Sequence, residues 1–231
     1  MVNQDGAYSG VVGLAYPKLT TYKEELPLFY NLWKQKKISL PLFSVFLTTS
    51  SKSSLTSELV LGGIDKSKYT GSITYVQVSP KGYWEFKLTN VMIGRTVISG
   101  SKNTPAISDT GTTYIYGPSK QVKAFYAAIN AYQYDNDGDY GVDCEAISSL
   151  PSLTFTISGV PFTLLPQHYI YNESLTGGNK LCLSAISAST DTDNDSREYW
   201  LLGDSFLQRF YSVYNMGTNQ VGFAKSVLYK S

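Results

Sequence analysis

The residues best suited to chemistry lie in the run Pro105-Ala106-Ile107-Ser108-Asp109-Thr110-Gly111-Thr112-Thr113. A carboxylate that takes and returns protons needs donors to orient it, bare backbone nearby, and a rigid element to hold it. Asp109 has candidates for all three. The hydroxyls of Thr110 and Thr112 can donate hydrogen bonds. Gly111, with no Cβ, lets backbone approach the carboxylate and take an unusual turn. The short apolar stretch before Asp109 supplies the strand. Taken alone, Asp-Thr-Gly more often describes an ordinary turn, so its meaning depends on what surrounds it.

Other chemistries lack their residues. His168 is the sole histidine, it sits in Leu165-Pro166-Gln167-His168-Tyr169, and no serine elbow accompanies it, so a serine triad is excluded. A surface or structural role is expected for it. Catalytic zinc needs more histidine or cysteine than the chain holds. Gly62-Gly63 and Gly177-Gly178 lack the lysine and spacing of a phosphate loop. The acidic runs 135–139 and 191–195 miss calcium-loop spacing, the second having Ser196 where glycine is required, and are read as solvated turns. No metal and no cofactor is expected, and carboxylate chemistry remains.

The elements that must position Asp109 are mainly strands. The 231 residues are 42% hydrophobic and 16% charged, with 19 Tyr and 19 Gly, a composition that suits a β-rich globular chain rather than a disordered one. A net charge of +1 gives no reason to expect nucleic acid or an anionic membrane as partner. No apolar run approaches bilayer-spanning length. Alternation marks strands at 57–61 and 72–78. Phe155 and Ile157 alternate with threonines before a turn at Ser158-Gly159, which predicts a hairpin. A second hairpin joins 210–214 to 221–224 across 216–219. Two helices are expected. One runs from about Pro27 to Lys36, with Pro27 suited to its first turn. The other follows Gly117-Pro118 to about Tyr132, with Val122, Phe125, Tyr126 and Ile129 on one buried face.

The order of short motifs along the chain resembles the pepsin family of aspartic proteases. Asp5-Gly6 through Gly13-Leu14-Ala15-Tyr16-Pro17 comes first. Then follow Phe43-Ser44-Val45, Leu61-Gly62-Gly63-Ile64-Asp65, Tyr69-Thr70-Gly71 and Gly82-Tyr83-Trp84. Ile107 through Thr113, closed by Gly117-Pro118, matches the family's second active-site motif. Cys144, Ser149-Leu150-Pro151, Trp200-Leu201-Leu202-Gly203-Asp204 and Val221-Gly222-Phe223-Ala224 complete the series. The resemblance implies a mainly β, pepsin-like aspartic protease lobe of Greek-key, orthogonal, barrel-like sheets with a few short helices. The family's enzymes have two lobes, each giving one Asp-Thr-Gly aspartate, whereas this sequence holds one such tripeptide. Residues 1–50 therefore read as a remnant of the N-terminal lobe with the inter-lobe segment, and 51–231 as the C-terminal lobe.

What the resemblance implies about function is specific. Asp109 is the catalytic carboxylate of this lobe, and its twin belongs to an N-terminal lobe missing from this sequence. Two carboxylates in contact cannot both ionise cheaply, so they share a proton. The ionised member then takes a proton from water while the other polarises the peptide carbonyl. Thr110 crosses to the other lobe, while Gly111 and Thr112 hold the carboxylate. Ile107 and Thr113 touch substrate, and Tyr83 and Leu201 line side-chain pockets. Leu201-Leu202-Gly203 thread behind the aspartate. Ser108 stands where the family has an apolar residue, a departure expected to alter packing or the acid optimum. The family also pairs Cys144 with Cys182 and works in oxidising compartments, secreted or lysosomal and vacuolar. Acceptor triplets for glycosylation at Asn172 and Asn194 fit such a setting. The implied activity is acid endopeptidase action on protein and peptide substrates. The alternatives are a non-catalytic binding or secreted relative, an inactive fragment, and a one-aspartate homodimer, for which no flap-like sequence is visible.

Overall fold

The protein is described from a computed structural model, which covers residues 10–22, 24–48, 55–99, 103–135, 138–174, 180–189 and 198–229. Its architecture is mainly β with a few short helices, as the composition and alternation require.

Three sheets carry the fold. The first is antiparallel throughout and runs, in spatial order, Glu58–Leu61, Leu42–Phe46, Phe210–Asn215, Gln220–Ser226 and Tyr69–Gln77. The second is mixed. It orders Val160–Leu164, Leu153–Ile157, Glu85–Ile93, Thr104–Ser108, Trp200–Leu202, Ile115–Pro118 and Ile186–Ser189, with Thr96–Val97 beside Glu85–Ile93. The third, smaller sheet orders Ile170–Ser174, Lys180–Ser184, Tyr140–Val142 and Tyr132–Gln133.

Both expected hairpins form. Ser158 and Gly159 sit at φ 49° and 79°, the left-handed pair that a two-residue turn needs to match strand twist. Phe210–Asn215 pairs with Gln220–Ser226 in register from Phe210↔Lys225 to Asn215↔Gln220. The first helix is Leu28–Lys34 with Pro27 as its N-cap, slightly shorter than expected. The second is Ser119–Ala128, and Val122, Phe125, Tyr126 and Ile129 are buried as its spacing demands. It stops short of the expected Tyr132. Asn130 turns left-handed at φ 53°, the Ala131 amide closes back on the Tyr126 carbonyl at 3.0 Å, and Tyr132 joins a strand instead. A short polar side chain tolerates that backbone, and the helix ends there.

The core is aromatic and locked edge to face. Phe155 meets Trp200 at 5.2 Å and 80°, and Phe162 meets Phe210 at 5.0 Å and 82°. A second knot, built by Tyr16, Phe29, Phe43, Trp84 and Tyr214, lies under the segment that carries Asp109. Burying each such ring contributes roughly 1.5–3 kcal/mol. Residues 10–16 are stitched on by two hydrogen bonds: the Tyr16 amide donates to the Gly82 carbonyl at 3.0 Å, and Trp84 Nε1 donates to the Leu14 carbonyl at 3.0 Å. His168 is buried, with its Nδ1 accepting the Leu165 amide at 3.2 Å. Its role is structural. Burial first, and the Arg209 charge second, push its pKa down to about 4.

Candidate active site

Asp109 follows directly on the strand Thr104–Ser108, whose five residues are all buried. That strand has Glu85–Ile93 antiparallel on one side and Trp200–Leu202 parallel on the other. It cannot shift without breaking two ladders. The chain then turns out of the sheet, and the turn is built around the carboxylate. The Gly111 amide donates to Asp109 Oδ1 at 2.9 Å, and Thr112 Oγ1 donates to Oδ2 at 2.6 Å. Each oxygen thus has its own donor, and the short hydroxyl contact suits a charge-assisted bond. Gly111 serves by close approach, since a Cβ there would sit 3.3 Å from Asp109 Oδ1. The unusual backbone expected of it is absent, because its φ is not in the left-handed range.

The segment after the bracing strand closes the turn from behind. The Asp109 amide donates to the Leu202 carbonyl at 3.1 Å, the Asp204 amide to the Thr112 carbonyl at 2.8 Å, and the Ser205 amide to the Thr113 carbonyl at 3.0 Å. Gly203 lies so close that any Cβ would run into the carbonyl oxygens of Thr112 and Tyr114. Only glycine fits there.

Above the carboxylate lies a pocket of ≈ 180 Å³. Gly13, Leu14 and Ala15 form one side, Tyr83 and Trp84 another, and Ile107, Asp109 and Thr110 the floor. Ile107 is buried, whereas Tyr83 and Thr110 are exposed. Thr113 is exposed and engaged through its carbonyl. Leu201 is half-buried and pairs with Ile107 and Tyr116. It does not line this pocket. The structure therefore brings Asp109, Gly111 and Thr112 into contact, sets Ile107, Thr110 and Tyr83 around one hollow, and leaves Thr113 and Leu201 beside it.

Cys144 and Cys182 are bonded to each other, as the resemblance implied. Asn172 is exposed on the edge strand Ile170–Ser174, and Asn194 lies outside the described residues. Among the described residues no group of three or more potential ligands could hold a metal ion, and no helix is long and apolar enough to cross a membrane.

Two features escaped the sequence. Asp204 is half-buried, and its Oδ1 is buried without a hydrogen-bond partner among the described residues. Burial, and secondarily the charge of Asp109, raise its pKa to about 6. The signal was present, since an acid directly follows Gly203. The second feature is a hydrogen bond between Ser108 Oγ and Tyr214 OH at 2.8 Å, which no local pattern announces.

A strand-held carboxylate with two donors, braced by a glycine no other residue can replace, is the arrangement the motif order implied. Comparison with known proteins agrees: the family model "Eukaryotic aspartyl protease" matches residues 2–226. The chain belongs to that family. Cathepsin E of Rattus norvegicus is 39% identical over 220 residues, covering 95% of this chain and 54% of the relative. Cathepsin E of Aquarana catesbeiana is 37% identical over 228 residues, covering 99% and 55%. Pepsin A of Sus scrofa is 37% identical over 217 residues, covering 94% and 54%. The chain thus spans about half the length of the curated relatives it matches.

Proposed function

We propose that this chain supplies one half of an aspartic endopeptidase that cleaves protein and peptide substrates in acid. Asp109 is its catalytic aspartate, and a second carboxylate comes from a lobe outside these 231 residues. The supporting observation is the Asp109 carboxylate itself, which is held on both oxygens and faces an open pocket. With a twin in contact, the pair carries a single proton. The ionised member takes a proton from the attacking water while the protonated member donates to the scissile carbonyl oxygen. The tetrahedral diol that results involves no covalent bond to the enzyme. The Gly111 amide and Thr112 hydroxyl steady the charge on Asp109 throughout. Thr110, exposed beside Asp109, bridges to the other lobe in this reading. Ile107, Thr113, Tyr83 and Leu201 are the proposed substrate contacts.

Residues 1–50 are the end of the first lobe with the inter-lobe segment, and 51–231 the second lobe. An uncovered apolar hollow of ≈ 260 Å³, lined by Val12, Leu14, Leu28, Leu32, Leu59 and Leu61 among others, supports further protein packing on this face, since contiguous exposed apolar surface marks interfaces. The disulfide supports a secreted or lysosomal and vacuolar setting.

The test uses the protein together with its first lobe. Cleavage of an unfolded protein substrate at acid pH is expected, with loss of turnover in Asp109→Asn and retention of fold. Undiminished turnover in that variant refutes the assignment.

A further inference from the structure

Beside Asp109 the pocket is walled by Phe43, Trp84 and Tyr214, and one polar contact is set among these rings. Ser108, the residue before the aspartate, is 4% exposed, and Tyr214 is 1% exposed. Their hydroxyls meet at 2.8 Å across 106 residues of sequence. Both line the pocket above the carboxylate. The Tyr214 ring is fixed from two sides: it stacks on Phe43 at 4.7 Å and 15°, and Trp84 packs edge-on at 5.2 Å and 65°. The Ser108 backbone is fixed as well, its amide donating to the Trp84 carbonyl at 3.1 Å. The pair is therefore a rigid polar insert in an aromatic wall.

Hydrogen counting gives the insert a direction. Two hydroxyls bring two hydrogens, and their mutual bond uses one. One hydrogen is left over, on Tyr214 or on Ser108. In a buried corner a surplus donor seeks an acceptor, because leaving it unmade is costly. Two kinds of acceptor are near. Ser212 Oγ lies on the same strand face two residues before Tyr214 and is fully buried. The others are carboxylates, Asp109 and Asp204, which make no hydrogen bond to the pair but whose negative fields both reach the Tyr214 phenol. That phenol is raised to about 12, mainly by burial; the Ser108 and Ser212 hydroxyls pull it down, and Asp109 and, less, Asp204 push it up. The remaining ionisable groups of the corner do not compete. Glu85, buried on the neighbouring strand, has a partner of its own, and the Tyr16 phenol, packed against Trp84, is itself pushed up to about 12 by burial.

We propose that Ser108 and Tyr214 are a positioning pair for Asp109: they tie the backbone just before the aspartate to the interior strand Phe210–Asn215 and turn their one spare hydrogen toward its negative charge. The inference rests on the role assigned to Asp109 above. Neither residue touches substrate or gives up a proton in the reaction. The pair replaces an apolar contact by a polar one, and its effect is felt only while the carboxylate is charged.

That condition is the test, and it needs no turnover. Tyr214→Phe keeps the ring and removes the hydroxyl, and Ser108→Ala keeps the strand. Unfolding equilibria of the folded protein are measured for each change in the parent and in the Asp109→Asn background, at pH 6 and at pH 2.5. No hydrogen bond joins the pair to Asp109, whose oxygens are held by Gly111 and Thr112, so the pair acts on it as a buried dipole on a charge, an effect of about threefold in the folding equilibrium. Tyr214→Phe is therefore expected to weaken folding about threefold more in the parent at pH 6 than in Asp109→Asn, and the difference should vanish at pH 2.5. An equal loss in both backgrounds at both pH values overturns the proposal, because a bond serving packing or Ser212 alone does not sense the Asp109 charge. Where the two-lobed protein is proteolytic, the acid limb of its pH–rate profile should also move to higher pH in Ser108→Ala and Tyr214→Phe. Absence of proteolysis in the parent counts against the endopeptidase reading and leaves the stability cycle in force.

Discussion

Replacing Asp204 by asparagine should stabilise the protein at neutral pH and leave it unchanged in acid. Asp204 sits behind the Asp109 turn, half-buried, with one carboxylate oxygen unpartnered among the described residues. Burial, reinforced by the Asp109 charge, lifts its pKa from 3.8 to about 6. A displacement of that size corresponds to about 3 kcal/mol between its neutral and ionised forms. Because the group keeps partial access to water, screening reduces the usable part to about 1–1.5 kcal/mol. The sign follows from linkage. A folded-state value above the unfolded one means that folding prefers the protonated acid. The penalty is absent below about pH 4, grows between pH 4 and 6, and is complete above pH 6. Asparagine mimics the neutral acid and carries no such penalty. Melting curves of Asp204→Asn and its parent should coincide near pH 3.5 and separate by roughly 3–5 °C at pH 7, with the variant higher. The Asp109→Asn background should shrink the separation, since one source of the repulsion is gone. A variant that melts below its parent at pH 7, or by the same margin at both pH values, would refute this account of the burial.

Two further outcomes follow from the described contacts. His168 is held neutral as an acceptor from the Leu165 amide, with its pKa near 4, so its contribution to stability is whole above about pH 6.5 and is lost as the pH falls toward 4. His168→Gln should flatten the stability curve across that window, which denaturant titrations at pH 7, 5 and 4 would reveal. Breaking the Cys144–Cys182 bond, which spans 38 residues, should cost about 4 kcal/mol; equal denaturant midpoints for Cys144→Ala/Cys182→Ala and its parent would contradict this.

Much of the site was legible because its signals are local. Asp109, Gly111 and Thr112 lie within four residues, and the hydrogen bonds among them are those the side-chain inventory permits. The helix face of Val122, Phe125, Tyr126 and Ile129 and the turn at Ser158-Gly159 depend on equally short periodicities. What escaped depends on distance. The Ser108 partner is 106 residues away, and nothing in either neighbourhood singles out Tyr214 from the other tyrosines. Asp204 reads as an ordinary helix-start acid until the sheet places it against the Asp109 turn. The sheet order was equally hidden, since Leu42–Phe46 lies beside Phe210–Asn215 with most of the chain between them. The end of the second helix was missed because Asn130, a polar residue in a good helical pattern, takes the left-handed backbone that stops it.

The insertion of Trp200–Leu202 between Thr104–Ser108 and Ile115–Pro118 carries a consequence for biosynthesis. The ribosome makes Asp109 some ninety residues before the stretch that cradles it. A nascent chain halted short of Trp200 contains the whole Asp-Thr-Gly tripeptide yet lacks the interior strand that joins Thr104–Ser108 to Ile115–Pro118, the Leu202 carbonyl that receives the aspartate's amide, and the Gly203 crossing. Until translation passes that point the carboxylate has only its local donors, Gly111 and Thr112, and the turn that carries it lacks the strand and the crossing that brace it from behind.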